Sequence, residues 1–143
     1  MSMTEQELRE WVVYIAKSWE GTPYHHMGRV KGVGCDCATF LIEAYEEAGL
    51  IEHIELPYYP MDWHMHHTDE LYLKALLKYG HKVEKPEMGD IALYKYGKTA
   101  AHGAIVIAYP EVIHSAMNIG VLQMDDMPMR HNLVGFYSYW GNK

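Results

Sequence analysis

The sequence predicts a single α+β domain over residues 1–143, with N-terminal helices packed on an antiparallel sheet of about five strands. Two patterns carry that prediction. Apolar residues recur at helical spacing through the first half of the chain, whereas the second half breaks into short β-branched and aromatic runs separated by Gly, Pro, Asn or Asp. A length of 143 residues without repeat, low-complexity tract or long linker leaves room for one core.

The elements follow in order. Thr4 with Glu7 three residues later is a capping-box pattern, and Leu8, Trp11, Ile15 and Trp19 then recur at helical spacing until Gly21-Thr22-Pro23 stops the run. Gly28, Gly32 and Gly34 mark a turn-rich loop that ends at Asp36, a favourable N-cap. A second helix is predicted over 37–48, with Gly49 as its stop. Its Phe40, Leu41, Ala44, Tyr45 and Ala48 share one face, which places Cys37 on the core side. Residues 51–67 are irregular and rich in Pro, Tyr and His; Thr68 then caps a third helix carrying Leu71, Leu76, Leu77 and Tyr79 before Gly80. After a turn at 86–90, strands are predicted at 91–96, 101–108, 112–117, 121–124 and 133–140.

Composition narrows the function. With 49% hydrophobic and 22% charged residues the chain has the makeup of a folded globular protein. A net charge of −7 and a pI near 5.7 argue against a nucleic-acid partner, which needs a basic patch to displace counterions. The ten histidines make the surface charge depend on pH just below neutrality. The N-terminal residues lack the basic start and apolar core of a signal peptide, and the longest apolar run, 104–109, is too short to span a bilayer. The expectation is synthesis in the cytoplasm without membrane insertion.

The chemistry centres on Cys37. Cys35 and Cys37 are separated by one residue, too close for an unstrained disulfide. A thiol becomes a useful nucleophile as thiolate, which a helix N-terminus and a neighbouring imidazole both favour. Cys37 has the helix start. His102 shares a strand face with the small residues Ala104, Val106 and Ala108, which predicts room for a helix to approach on that face. His114 lies twelve residues further on, across a turn at Tyr109-Pro110; in a hairpin it would neighbour His102 and hold its ring. Other readings exist for these residues. A buried cysteine is commonly a small hydrophobe, and Cys35 is read as one that shapes its loop. Cys35, Cys37, His102 and His114 would also make a Cys2His2 zinc set, although structural zinc cysteines are usually two to four residues apart. His64, His66 and His67 lack a fixed partner for a metal. Tyr58, Tyr59, Pro60 and Trp63 either line a groove or cover the third helix.

The residues from Trp19 to Tyr24, the run Gly-Val-Gly-Cys-Asp36-Cys37-Ala-Thr-Phe40, Met88-Gly-Asp90-Ile-Ala-Leu93, Ala-His102-Gly-Ala-Ile105 and Val-Ile-His114-Ser-Ala116 together resemble the NlpC/P60 family of cell-wall cysteine peptidases. They occur in that family's order over most of the chain. Gly-Thr-Pro-Tyr followed by Gly-Cys-Asp-Cys is similar to its phage-encoded, tail-associated branch. The resemblance implies a papain-like fold, hydrolysis of an amide in peptidoglycan stem peptides through an acyl-enzyme, and no cofactor. It implies Cys37 as nucleophile, His102 as general base, His114 as orienting residue, Tyr24 as a group that reaches the thiol and polarises the substrate carbonyl, and Asp36 as a contact for the amino end of the substrate. Phage tail proteins are the further partners it implies, with the protein carried on a tail or released to the wall. An inactive or acyl-transferring tail component of the same fold is the alternative. The sequence departs from the family pattern at Ala38-Thr39, where Ser-Gly is common, and at Met27-Gly28, where Gly-Gly is usual.

Overall fold

A computed structural model describes residues 2–55, 78, 80–96 and 99–141. The predicted third helix from Thr68, the groove aromatics from Tyr58 to Trp63 and the histidines His64, His66 and His67 lie outside the described residues.

Helix α1 (Glu5–Ser18) begins where its capping box predicts: the Glu7 N–H donates to Thr4 Oγ1 at 3.1 Å and the Thr4 N–H to Glu7 Oε1 at 2.8 Å. Two amides near the helix start thus find side-chain acceptors. Ile15 and Trp19 lie in the buried stripe as predicted and Leu8 at its edge, but Val12, Val13 and Ala16 belong to it and Trp11 does not. Trp11 faces outward and stacks on Tyr14 with ring centroids 5.4 Å apart. Spacings of 8, 12, 15, 16 and 19 satisfy the helical period as well as the set containing Trp11 does, and periodicity alone does not separate them.

Helix α2 (Cys37–Glu47) buries Phe40, Leu41, Ala44 and Tyr45 as predicted, with Ala48 as its C-cap. Trp19 meets Phe40 edge to face at 6.0 Å and joins the two helices. The glycine-rich stretch between them contains a small hairpin, β1 (Arg29–Val30) against β2 (Gly34–Cys35). Strands of two residues are too short to show alternation, so the sequence reads as loop. Gly28 is needed there because a Cβ at that position would lie 2.7 Å from the Gly34 carbonyl oxygen. Gly28→Ala is expected to destabilise the protein by about 1–3 kcal/mol, read as a lower urea midpoint with an unchanged slope.

The main sheet has six strands in the order β3-β8-β4-β5-β6-β7, all antiparallel. They are β3 (His81–Val83), β4 (Ile91–Tyr96), β5 (Thr99–Ala108), β6 (Glu111–Ala116), β7 (Gly120–Asp125) and β8 (Leu133–Ser138). The five predicted strands are present, and β3 is the additional, three-residue edge strand. A 3-10 helix, Met127–Asn132, leads into β8.

Both faces of the sheet are apolar. Ile91, Leu93, Ile105, Ile113 and Val121 pack with the helices in the main core, while Ala92, Tyr94, Ala104, Val106 and Val112 form a second cluster. This corrects one expectation: the small residues beside His102 do not receive the helix, because α2 packs on the alternate residues of β5. Alternation groups residues by face but does not choose between two apolar faces.

One buried ion pair fastens α1 to the sheet. Arg9 Nη1 donates to Asp90 Oδ1 at 2.9 Å and to the Met88 carbonyl at 2.8 Å, and its guanidinium lies 4.3 Å from the centre of the Trp140 ring.

Candidate active site

Asp36 sets the start of α2. Its Oδ1 accepts from the Ala38 and Thr39 backbone N–H groups at 3.0 and 2.9 Å, and Oδ2 accepts from the Met27 N–H at 2.8 Å. Thr39 completes a capping box by accepting the Asp36 N–H at 2.9 Å, so the threonine that departs from the family pattern has a structural role. Met27 has a φ of 62°, a backbone conformation that glycine adopts without cost. The Asp36 residue is only 2% exposed.

Cys37, the first residue of α2, is half-buried. Burial, followed by the charge of Asp36, pushes its thiol well above the ordinary value, and backbone N–H groups of Gly103, Cys37 and Ala38 bonded to the sulfur act in the opposite sense. The contact with Gly103 places Cys37 beside the residue that follows His102. Pairing between β5 and β6 runs from Ala108↔Glu111 to Ile105↔Ile113, and His102 and His114 lie beyond it. The start of α2 reaches the sheet at this end of the hairpin. Ser115 of β6 donates to the Cys35 carbonyl at 3.2 Å, while Gly103 of β5 meets Cys37. The space next to the histidines therefore comes from the end of the β5–β6 ladder.

His102 Nε2 and His114 Nδ1 are 2.8 Å apart, with the rings nearly perpendicular and their centres separated by 5.0 Å. Both residues are buried. Burial, with a smaller contribution from His114, lowers the His102 imidazolium to about 3, and burial lowers that of His114 to about 4. Burial thus favours the neutral thiol and the neutral imidazoles in the resting site.

These shifts have a consequence for folding. An imidazole whose folded value lies below its ordinary 6.5 binds fewer protons when folded, so the two histidines' contribution to stability is fully present above about pH 6.5 and declines as pH falls from there towards 4 and then 3. Thermal denaturation between about pH 8 and about pH 4 is expected to show a steeper loss of Tm for the wild type than for the His102→Gln, His114→Gln double variant.

Tyr24 is half-buried beside β2, where it forms a parallel bridge with Cys35. It lines a cleft of about 460 Å³ that also contains His25, His26 and Met117. A second cleft of about 210 Å³ is lined by His102, His114, Tyr94, Lys95 and Met117. Met117 thus borders both clefts. Cys35 is fully buried, its Sγ donates to Ser115 Oγ at 3.7 Å, and burial pushes its thiol up to about 11, which suits the packing role read from the sequence. Among the described residues no three His, Cys, Asp or Glu side chains gather as a metal-binding group.

Three contributors are not legible in the sequence. Gly103 and Ser115 act at the end of a strand ladder that has no local pattern. Met124 of β7 lies with its Sδ 3.0 Å from His114 Nε2. Its position two residues beyond Leu122, the strand partner of His114, is readable only once the β6–β7 register is known.

Helices packed on one face of an antiparallel sheet, with a cysteine at a helix start bonded to the backbone of the residue that follows a sheet histidine, define a papain-like α+β protein. A sequence model of the NlpC/P60 family matches residues 21–138, and the chain belongs to that family. No curated protein sequence matches it. Solved structures share the fold at low identity. An NLP/P60-family protein described as similar to a lipoprotein, from Staphylococcus aureus, superposes with a TM-score of 0.67 at 19% identity, over 99% of this chain and 44% of its own length. The peptidoglycan hydrolase RipB of Mycobacterium tuberculosis gives a TM-score of 0.63 at 18% identity, over 96% of this chain and 67% of its own. RipD of the same organism, described as a non-catalytic NlpC/p60 domain protein adapted to peptidoglycan binding, gives 0.62 at 18% identity, over 92% and 96%. The chain spans less than half of the S. aureus protein. Among the described residues no helix is long and apolar enough to cross a membrane.

Proposed function

We propose that the protein is a cysteine endopeptidase that hydrolyses an amide bond in peptidoglycan stem peptides. One observation carries the reading: Cys37 at the start of α2 meets the Gly103 N–H, immediately beside a His102–His114 pair bonded at 2.8 Å. In this reading Cys37 Sγ attacks the substrate carbonyl as His102 takes the thiol proton. Attack and proton transfer proceed together, because burial favours the neutral form of both groups at rest. The oxyanion is held at the start of α2 by the Cys37 backbone N–H with help from Tyr24. His102 then returns the proton to the leaving amine and activates the water that releases the acyl group. His114 orients the His102 ring.

The clefts on the Tyr24 side and on the histidine side would receive the two halves of the peptide around the scissile bond. Contact between Asp36 and the substrate amine would need an accessible carboxylate oxygen. At 2% exposure, with both oxygens bonded to backbone N–H groups, Asp36 is better assigned to holding the helix start.

The substrate class is supported by family membership and by the similarity to RipB. A phage or prophage origin, with tail proteins as partners and the virion tail as carrier, rests on Gly21-Thr22-Pro23-Tyr24 followed by Gly34-Cys35-Asp36-Cys37. Synthesis in the cytoplasm belongs to the same reading. The activity is tested by incubating reduced protein with peptidoglycans of several chemotypes. Soluble peptide fragments are expected from at least one; none from any, while a known wall hydrolase digests them all, would refute the proposal.

A further inference from the structure

We propose that Met124 is a positioning residue that fixes the proton arrangement of the His102–His114 pair and so keeps His102 in the tautomer that can accept a proton at Nδ1. The effect on rate rests on the peptidase reading; the proton arrangement does not.

The far acceptor sets where each hydrogen lies. A thioether sulfur has lone pairs and no hydrogen, so it can only accept. With Met124 Sδ 3.0 Å from His114 Nε2, that nitrogen must carry the proton for the contact to be a hydrogen bond. A neutral imidazole carries one N–H, and burial keeps His114 neutral, so His114 Nδ1 is then the acceptor nitrogen. His114 Nδ1 faces His102 Nε2 at 2.8 Å, which requires the proton of that bond to come from His102 Nε2. Neutral His102 therefore has its proton on Nε2 and its lone pair on Nδ1. The tautomers are assigned from the partners along this chain of contacts.

Reversing the chain would defeat the base. With His114 protonated on Nδ1, the bond would run from His114 to His102 Nε2, and His102 would carry its proton on Nδ1. The two arrangements share the same heavy-atom positions between the rings, so that bond does not choose between them. The acceptor at the far end does. Met124 is held firmly in place, since it pairs with Val112 on β6 and packs against the apolar cluster of Tyr94, Ala104 and Val106.

Long-range proton–nitrogen correlation NMR on uniformly nitrogen-15-labelled protein near neutral pH distinguishes the two imidazole tautomers directly, and His102→Gln and His114→Gln assign the two rings. The wild type is expected to show both with protons on Nε2. Met124→Leu, which keeps the volume and removes the acceptor, is expected to show a mixture in both rings and a kcat lowered about 3- to 10-fold with KM unchanged. A wild-type His114 with its proton on Nδ1 would overturn the proposal without any variant, as would a folded Met124→Leu protein with wild-type tautomers. The predicted spectra without turnover would refute the peptidase reading alone, whereas turnover with His114 protonated on Nδ1 would refute the role of Met124 alone.

Discussion

Cys37→Ala is expected to reduce release of stem-peptide fragments by at least about 1,000-fold while leaving the protein folded. The size follows from the role assigned to the sulfur: the Thr39 hydroxyl at the start of α2 is buried and bonded to Asp36, and Cys35 is fully buried with its thiol raised to about 11. Stability should change little. Cys37 is half-buried, and the helix start is held by Asp36 and Thr39 through bonds that do not involve the Cys37 side chain. Fragment release measured beside circular dichroism separates the two effects. Cys35→Ala serves as the contrast, with activity retained, because its sulfur fills a packed site beside Ser115.

Arg9→Ala is expected to have the largest effect on folding, about 3–5 kcal/mol, read by chemical denaturation. The cost lies chiefly in what remains. The Asp90 side chain is 1% exposed, and with Arg9 removed its charge would stay buried, with the Glu87 N–H as a remaining hydrogen-bond donor among the described residues. The Met88 carbonyl would lose a donor and Trp140 its guanidinium contact. Pairing Arg9→Met with Asp90→Leu should recover much of the loss, since a buried ion pair is often replaceable by apolar groups of similar volume.

Much of the frame is legible in the sequence because it is specified locally. Thr4 with Glu7, and Asp36 before Cys37, are capping patterns whose atoms meet within one helical turn. The strands from Ile91 onward are long enough to alternate. Local patterns give no purchase on β1, β2 and β3, whose lengths of two or three residues contain too few alternations. They also misassign the helix-bearing face of β5, because Ala104 and Ile105 are both fully buried on opposite faces.

The site divides in the same way. Cys37 is legible from its helix start, and His102 and His114 from their strands and the family resemblance, and the structure brings the two histidines into contact. What cannot be read is the set of backbone and side-chain groups supplied across the sheet: the Gly103 N–H at the sulfur, Ser115 at the Cys35 carbonyl, and Met124 at His114. These depend on register and on where a ladder ends. Thr39, a departure from the family's usual motif, is also the partner of Asp36 in the helix cap.

The role of Cys37 is tested most directly by mass analysis of the muropeptides formed from purified peptidoglycan by the wild type and by Cys37→Ala. Products whose masses correspond to cleavage of one amide within the stem peptide are expected from the wild type, and none from Cys37→Ala. The same products from both proteins would contradict the assignment of Cys37 as nucleophile, and products cut only in the glycan would contradict amide hydrolysis itself.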